Sequence, residues 1–340
     1  MNNYDFLLER KRRRSLFIVE GDHEKNEMIH LLLRIFPKIN IKEEDILIYG
    51  TNIYMLYEDI ETEYTEEWDM VDVDLPYIVS KKKKYEKTLN KDDFNNIVLI
   101  FDYERHDPNF SEEKIAKLQY YFCDSTDVGK LYINYPMVEA YQHFDKWPCA
   151  EYAEIFVSAS LNPGAKYKGI VKESFVAKLV NLPIKLNKIL EERFHIEDFS
   201  VREDCVNKIL SLSDVENMHW KVREILNPVL SGKDLSTAEY QMVDILSKYE
   251  FCNIKQTYLS YMKRVFSAII IQSICKARKV CGDAYNVPME ELQAAFYTLD
   301  LGEVLKKQNI CSRDIQNGII WVLNTSVLFV PDYNFELLEG

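Results

Sequence analysis

The sequence lacks an apolar stretch of membrane-spanning length, because candidate apolar runs, such as the one at 268–271, are interrupted by polar residues within a turn or two. Glycine and proline are scarce, at 10 residues each, and no internal repeat or low-complexity tract is present. With 47% hydrophobic and 29% charged residues, this composition excludes a disordered or fibrous chain. It favours a helix-rich globular protein that, at 340 residues, is long enough for two hydrophobic cores.

Paired cysteines and an excess of basic residues are also missing. The seven cysteines include no Cys-x-x-Cys pair, which argues against a zinc site and indicates reduced thiols. A formal charge of −13, from 42 basic and 55 acidic residues, argues against a protein that coats nucleic acid through bulk charge. Local basic patches or bound metal ions can still bring a polynucleotide to an acidic site, and a basic partner protein would also suit this charge.

Two further classes of segment are absent. Gly129-Lys130 and Gly232-Lys233 lack the upstream glycine and the following Ser or Thr of a phosphate-binding loop, so an ATPase is set aside. The basic run at 11–14 precedes an apolar run that ends in Glu20 without a small-residue cleavage site. We therefore expect a cytoplasmic protein without a signal peptide or membrane association.

Strand-length apolar runs alternate with helical periods over about the first 150 residues. Strands are predicted at 15–20, 46–49, 96–101 and 131–134, and helices at 23–36, 52–64, 112–122 and from Pro136 onward. This order predicts an α/β fold with a parallel sheet and flanking helices. The stretch at about 65–91 loses the pattern and is predicted as a surface insertion.

The second half of the sequence has a different pattern, in which helical periods dominate. Helices are predicted at 171–180, 185–194, 206–212, 238–249, 257–281 and 289–305. A Pro-Gly turn at 162–164 is the predicted boundary, which divides the chain into an α/β domain at 1–160 and a mostly α-helical domain at 165–340. No constellation of acids, histidines or glycines in this half indicates chemistry, so it is interpreted as a scaffold for substrate or partner binding.

Three acids follow the first and third predicted strands. Glu20 ends the first apolar run, and Asp102 and Glu104 end the third with the i, i+2 spacing that places both on one side of a strand. The carboxyl ends of parallel strands meet at one edge of a sheet, where open α/β sheets bind their ligands. Clustered carboxylates are the ligands that Mg²⁺ or Mn²⁺ prefers, and such ions activate water for phosphoryl chemistry.

Basic residues near these acids are candidates for binding phosphate. They are Arg12, Arg13 and Arg14 before the first strand, Lys81, Lys82, Lys83 and Lys84 in the predicted insertion, and Arg105 after the third strand. A solvated surface is the alternative interpretation of both runs. Lys25 and Arg105 are the candidates for stabilising charge during catalysis.

The motif Val19-Glu20-Gly21-x-x-Glu24-Lys25, followed by strand-borne Asp102-x-Glu104, resembles the Toprim domain of topoisomerases, primases, and OLD-type and ribonuclease-M5-type nucleases. The resemblance covers about the first 145 residues and implies a Mg²⁺ or Mn²⁺ site for phosphodiester chemistry. Glu104 stands where that family carries an aspartate, and the predicted insertion accounts for the long spacing between the motifs.

The segment at 132–141 resembles the corresponding segment of OLD-like Toprim effectors of bacterial phage defence, among them the effector of the PARIS system, which works with an ABC-type ATPase. This resemblance makes Glu139 a candidate additional metal ligand. Asp107, in the loop after the third strand, is a further candidate, although an acid in a loop is common without function.

These observations predict a divalent-metal-dependent nuclease with DNA or RNA as its substrate, and the resemblance implies a toxic effector in antiviral defence. Glu20, Asp102, Glu104 and Lys25 are the predicted catalytic residues. Self-association and an ABC-type ATPase partner are left open. One alternative is a catalytically idle interaction protein that docks on a basic or ATPase partner, and a weaker one is a primase-like nucleotidyl transfer.

Overall fold

A computed structural model describes residues 14–338, apart from 66, 87, 148, 214 and 215. The strands are β1 (Ser15–Val19), β2 (Ile46–Ile48), β3 (Asn96–Asp102), β4 (Cys123–Asp124), β5 (Gly129–Tyr135), β6 (Phe156–Ser158), β7 (Ile319–Trp321) and β8 (Leu323–Asn324). The predicted phosphate contacts Arg12 and Arg13 lie outside the described residues.

Helices account for most of the remaining chain. Those of the first half are α1 (His30–Ile35), which continues a π-helical segment at His23–Ile29, then α2 (Ile53–Tyr64), α3 (Leu75–Lys83) and α4 (Glu112–Tyr121). Those of the second half are α5 (Ala165–Val171), α6 (Phe175–Val180), α7 (Leu182–Glu192), α8 (Phe199–Leu210), α9 (Met218–Leu226), α10 (Gly232–Leu246), α11 (Glu250–Asn253), α12 (Tyr258–Cys281), α13 (Met289–Tyr297), α14 (Leu301–Ser312) and α15 (Phe329–Tyr333).

The main sheet has the strand order β2-β1-β3-β5-β4, and β8 also pairs with β5. β2, β1, β3 and β5 run parallel, while β4 and β8 are antiparallel to β5. The α/β class is therefore confirmed, with a sheet that is mixed and mostly parallel. The antiparallel additions escaped sequence analysis because strands of two residues carry no periodicity.

The sheet separates two hydrophobic layers. In β1, Phe17 and Val19 point into one layer and Leu16 and Ile18 into the other, and all four side chains are buried. The continuous apolar run of β1 follows from this burial on both faces. Residues of α2, α3 and α4 belong to the layer of Leu16 and Ile18, and residues of α1 and α12 belong to the layer of Phe17 and Val19.

The segment predicted as a surface insertion contributes to the hydrophobic layer that contains Leu16 and Ile18. It contains a short 3₁₀ helix at Trp68–Met70 and α3, and Trp68, Leu75 and Val79 are fully buried. Acidic residues precede the buried positions and four lysines follow them, which hides the apolar period in the sequence. Three of those lysines form the last turn of α3, and Lys84 caps it in a left-handed conformation.

Val79→Ala is expected to lower the free energy of unfolding by about 2 kcal/mol, because two buried methyl groups are removed and a small cavity remains. The matched control is Val71→Ala in the same segment, where the valine is 46% exposed and the expected change is below about 0.5 kcal/mol. Denaturant unfolding measures both variants. Equal losses would contradict the burial of this segment.

The second half of the chain returns to the sheet at its end. β7 pairs with β6, and β8 pairs with β5 through Asn134 and Asn324. Core residues from β1, β3 and α12 belong to one hydrophobic cluster. The predicted boundary near residue 162 thus separates two compositions in sequence, while the two halves share a core.

No helix in the described ranges is both long enough and apolar enough to cross a membrane. The longest one, α12, has 24 residues, and Lys263, Arg264 and Lys276 interrupt its apolar positions.

Candidate active site

Glu20 and Asp102 lie side by side at the carboxyl edge of the sheet. The Glu20 N–H donates to the Ile100 carbonyl at 3.1 Å, and the Asp102 N–H donates to Glu20 Oε2, also at 3.1 Å. Asp102 is buried and stands opposite Asn134 of β5, whose Nδ2 lies 3.4 Å from Asp102 Oδ1. The parallel register of β1, β3 and β5 thus brings together two acids that are 82 positions apart in sequence.

Glu24 joins this edge from the π-helical segment that follows β1. Its Oε2 accepts the Gly21 N–H at 2.9 Å, and the residue is only 4% exposed. Sequence analysis quoted Glu24 within the motif but did not name it as a site residue. The signal that could have found it is the Glu-Gly-x-x-Glu spacing, which places two acids one helical turn apart around a tight turn.

Glu139 reaches the same edge from a 3₁₀ helix at Val138–Gln142 that follows β5. The residue is buried, and Lys168 Nζ of α5 forms an ion pair with its Oε1 at 2.8 Å. His23 Nδ1 lies 3.7 Å from the same oxygen. Neither carboxylate oxygen has a partner with hydrogen-bond geometry among the described residues. A buried carboxylate with free lone pairs is an available ligand for a cation.

Glu104 and Asp107 occupy the loop after β3. Glu104 has a φ of +45°, in the left-handed region, and its carbonyl accepts the Asp107 N–H at 3.0 Å. Asp107 Oδ2 also accepts from Asn52 Nδ2 at 2.6 Å, which ties this loop to the start of α2. The β-strand geometry ends at Asp102, so Glu104 is positioned by the loop rather than by an extended i, i+2 spacing.

The electrostatics of these acids show that they form one cluster. Burial, opposed by a hydrogen bond from the Asp102 N–H and assisted by the charges of Glu104, Glu24 and Asp107, raises the pKa of Glu20 to about 8. Burial also raises the pKa of Asp102 well above its usual range, followed by the charges of Glu20 and Glu24. The pKa values of Glu24 and Glu104 are raised too, again mainly by burial. Partly desolvated acids of like charge favour protonation or a bound cation.

The two predicted charge-stabilising residues point elsewhere. Lys25 Nζ pairs with Glu43 Oε1 at 2.7 Å. The Arg105 guanidinium lies 4.1 Å from the centre of the Phe110 ring, and its Nη2 is 3.4 Å from the Ser312 carbonyl oxygen. Lys168 is instead the lysine that contacts an acid of the site.

The predicted phosphate-binding residues lie in two separate places, one at the start of β1 and the other in the last turn of α3. Arg14 lies at the start of β1, where its Nη2 is 2.7 Å from Asp45 Oδ1. It is therefore separated from Glu20 by the length of a five-residue strand, about 17 Å, at the opposite edge of the sheet. Lys81 pairs with Glu63, and Lys82 pairs with Asp59 at 2.7 Å.

The acids do not form a ready-made metal centre. Among the described residues, no three His, Cys, Asp or Glu side chains are arranged to hold an ion as they stand. Glu20 and Glu24 instead accept backbone N–H groups. The oxygen-only donor set fits a hard divalent cation, provided that Glu20 and Glu24 rotate away from those N–H groups and that the ion replaces Lys168 at Glu139. Each such hydrogen bond to a charged group contributes about 1.5–3 kcal/mol, which a bound ion must offset.

Comparisons with protein-family models, with curated proteins and with solved structures give no match for this chain. The similarity to Toprim domains therefore remains a prediction from the quoted motifs. The geometry of the acidic cluster is the observation from which function is argued.

Proposed function

We propose that this chain is a divalent-metal-dependent phosphodiester hydrolase, a nuclease of the Toprim type. The observation that carries the proposal is that buried Glu24, Asp102 and Glu139 meet half-buried Glu20 at one sheet edge, where their charges act on one another. A protein that used these acids only for structure would gain stability by replacing them with neutral residues. The presence of these four acids at a largely buried edge of the sheet is expected if a cation binds there.

In this proposal Glu20, Asp102 and Glu104 hold Mg²⁺ or Mn²⁺, and Glu24 and Glu139 complete the oxygen donors. Asp107 is left out of this set because both of its oxygens are occupied, Oδ2 by the Asn52 amide and Oδ1 by the Asn109 N–H. The bound ion supplies an activated water and stabilises charge on the phosphoryl oxygens.

The protein's own groups orient the site and balance its charge. The Asn134 amide contacts Asp102 Oδ1 and so fixes the rotamer of that carboxylate. Lys168 forms an ion pair with Glu139, and its ammonium would be available to a phosphate oxygen if Glu139 held a cation. Lys168 thus takes the charge-stabilising role that sequence analysis gave to Lys25 and Arg105.

The biological role and partners rest on the resemblance alone. It supports an antiviral effector that acts on DNA or RNA in the cytoplasm and works with an ABC-type ATPase. The idle interaction protein remains the second candidate, and the observation that favours it is that no three described side chains are arranged to hold an ion.

The test combines metal binding with cleavage. Calorimetric titration with Mn²⁺ should show binding that Glu20→Gln weakens at least tenfold, and plasmid DNA, single-stranded DNA and total RNA should be assayed with Mg²⁺, Mn²⁺ or EDTA. Glu113→Gln, on the exposed face of α4, is the matched control and should leave both readouts unchanged. Absence of Mn²⁺ binding at millimolar concentration would reject the hydrolase in favour of the interaction protein.

A further inference from the structure

Charged groups are ordered along the carboxyl edge of the sheet. From β2 to β5 the strand ends are followed by Gly50 with Lys83 beside it, then Glu20, then Asp102, and then Glu139 with Lys168 beside it. Cations therefore flank a central row of acids. Three strand spacings of about 4.8 Å make this row about 14 Å long, which about four nucleotides cover at the 3.4 Å rise of a stacked strand.

The β2 side of this row is a cleft of about 510 Å³ along the outer edge of the sheet, lined by β2 itself, by Lys25, Lys83 and Tyr85, and by two acids, Glu43 and Glu44. Lys25 pairs with Glu43, so Lys83 is the cation of this cleft that is open to a phosphate. Lys83 Nζ lies only 2.9 Å from the point where a Cβ atom on Gly50 would stand, and the Gly50 N–H donates to the Glu20 carbonyl at 2.9 Å. Gly50 thus lies between Lys83 of the cleft and Glu20 of the acidic row.

Lys83 and Tyr85 are the two side chains of this cleft that suit a nucleotide. Lys83 is exposed, and no carboxylate in the described part of the chain pairs with it, unlike its neighbours Lys81 and Lys82. Tyr85 is 41% exposed, so its ring is accessible at the cleft. A lysine for phosphate beside an aromatic ring for a base is the arrangement by which proteins bind unpaired nucleotides.

The β5 side of the acidic row carries two lysines. Lys168, which contacts Glu139, is followed at i+4 by Lys172, so both lie on one stripe at the surface of α5 and its end. Lys172 is exposed, and it too has no carboxylate partner within the described ranges. Tyr167 of the same helix is buried against the acids, since the charges of Glu139 and Asp102 raise its pKa after the larger effect of burial. The helix is therefore anchored beside the site.

We propose that a single-stranded polynucleotide crosses the carboxyl edge of the sheet, with one flanking phosphate on Lys83, its base on Tyr85, and a phosphate on the other flank at Lys172. This inference rests on the proposed function, because it assigns the substrate path of the same acidic site. It selects an unpaired strand over a duplex, since a paired base has no free face for Tyr85.

The experiment measures binding rather than turnover. A short fluorescent oligonucleotide, as a single strand or as a duplex, is titrated with the full chain in Ca²⁺ at several salt concentrations. The variants are Lys83→Gln, Lys172→Gln, Tyr85→Ala and Tyr85→Phe, and the matched control is Lys233→Gln, an exposed lysine in the first turn of α10.

We expect the single strand to bind more tightly than the duplex. Each of Lys83→Gln and Lys172→Gln should reduce the slope of log affinity against log salt by about 0.7, the value for one lost contact between a lysine and a single strand. Tyr85→Ala should weaken binding about tenfold, whereas Tyr85→Phe and Lys233→Gln should bind as wild type does.

Two results would overturn this path: unchanged slopes in both lysine variants, or no binding of the oligonucleotide by wild type. Mn²⁺ titration of the same samples shows whether only the proposed strand path is wrong or the proposed hydrolase is wrong as well. Metal binding that depends on Glu20, together with unchanged slopes, rejects the path and leaves the hydrolase standing.

Discussion

Asp102→Asn is expected to reduce metal-dependent cleavage by about 10²–10³-fold or more, and at the same time to stabilise the metal-free protein. The loss follows because Asp102, buried at the centre of the acidic row, is a proposed metal ligand, and an amide oxygen binds a hard cation more weakly than a carboxylate does. The gain follows because burial and neighbouring acids raise the pKa of Asp102, so its ionised form is unfavourable in the folded chain. Asparagine keeps an oxygen toward Asn134 without the charge.

Rates with Mg²⁺ and thermal unfolding in EDTA measure the two effects on the same preparation. A variant that lost activity and stability together would indicate a structural role for Asp102, and the assignment as a metal ligand would fail. Glu113→Gln again serves as the control, because it removes one exposed carboxylate and should change neither quantity.

The sequence predicted the centre of the site because burial imposes a recognisable pattern. β1 and β3 are covered on both faces, so their sequences are continuous apolar runs, and the acids that end them are conspicuous. Parallel pairing then places Glu20 beside Asp102 without knowledge of any other contact. Glu139, by contrast, was a candidate only through the resemblance of the segment at 132–141 to Toprim effectors.

Other parts of the site depend on contacts that local sequence does not encode. Glu24 reads as an ordinary acid in the first turn of a helix, and only the fold shows that it is buried against Gly21. Lys168 meets Glu139 because α5 packs on the 3₁₀ helix that carries this acid, a contact between distant segments. Arg14 precedes the motif directly in sequence, yet the length of β1 places it at the opposite edge of the sheet.

Stability in the absence of metal should depend on pH in a direction that identifies the acidic cluster. The pKa of Glu20 is about 8 in the folded chain, whereas its ordinary value is 4.5, so the folded state holds this proton at pH values where the unfolded state has released it. The stabilisation is complete below pH 4.5 and is lost as the pH rises through about 8. In EDTA, wild type should therefore become less stable relative to Glu20→Gln between pH 5.5 and 8.5, by on the order of 2–4 kcal/mol.

The comparison with Glu20→Gln is needed because other groups titrate nearby. Burial lowers the pKa of His143, which makes the folded chain more stable as the pH rises through its ordinary value of 6.5, opposite in sign to the effect of Glu20. Subtracting the variant from wild type cancels His143 and leaves the contribution of Glu20 together with its coupling to Asp102, whose pKa the Glu20 charge raises. Mn²⁺ should reverse the trend, because the ion binds the deprotonated acids and raises the melting temperature of wild type most at high pH. Parallel pH profiles for wild type and Glu20→Gln in EDTA, with no stabilisation by Mn²⁺, would mean that the cluster neither traps a proton nor binds a cation.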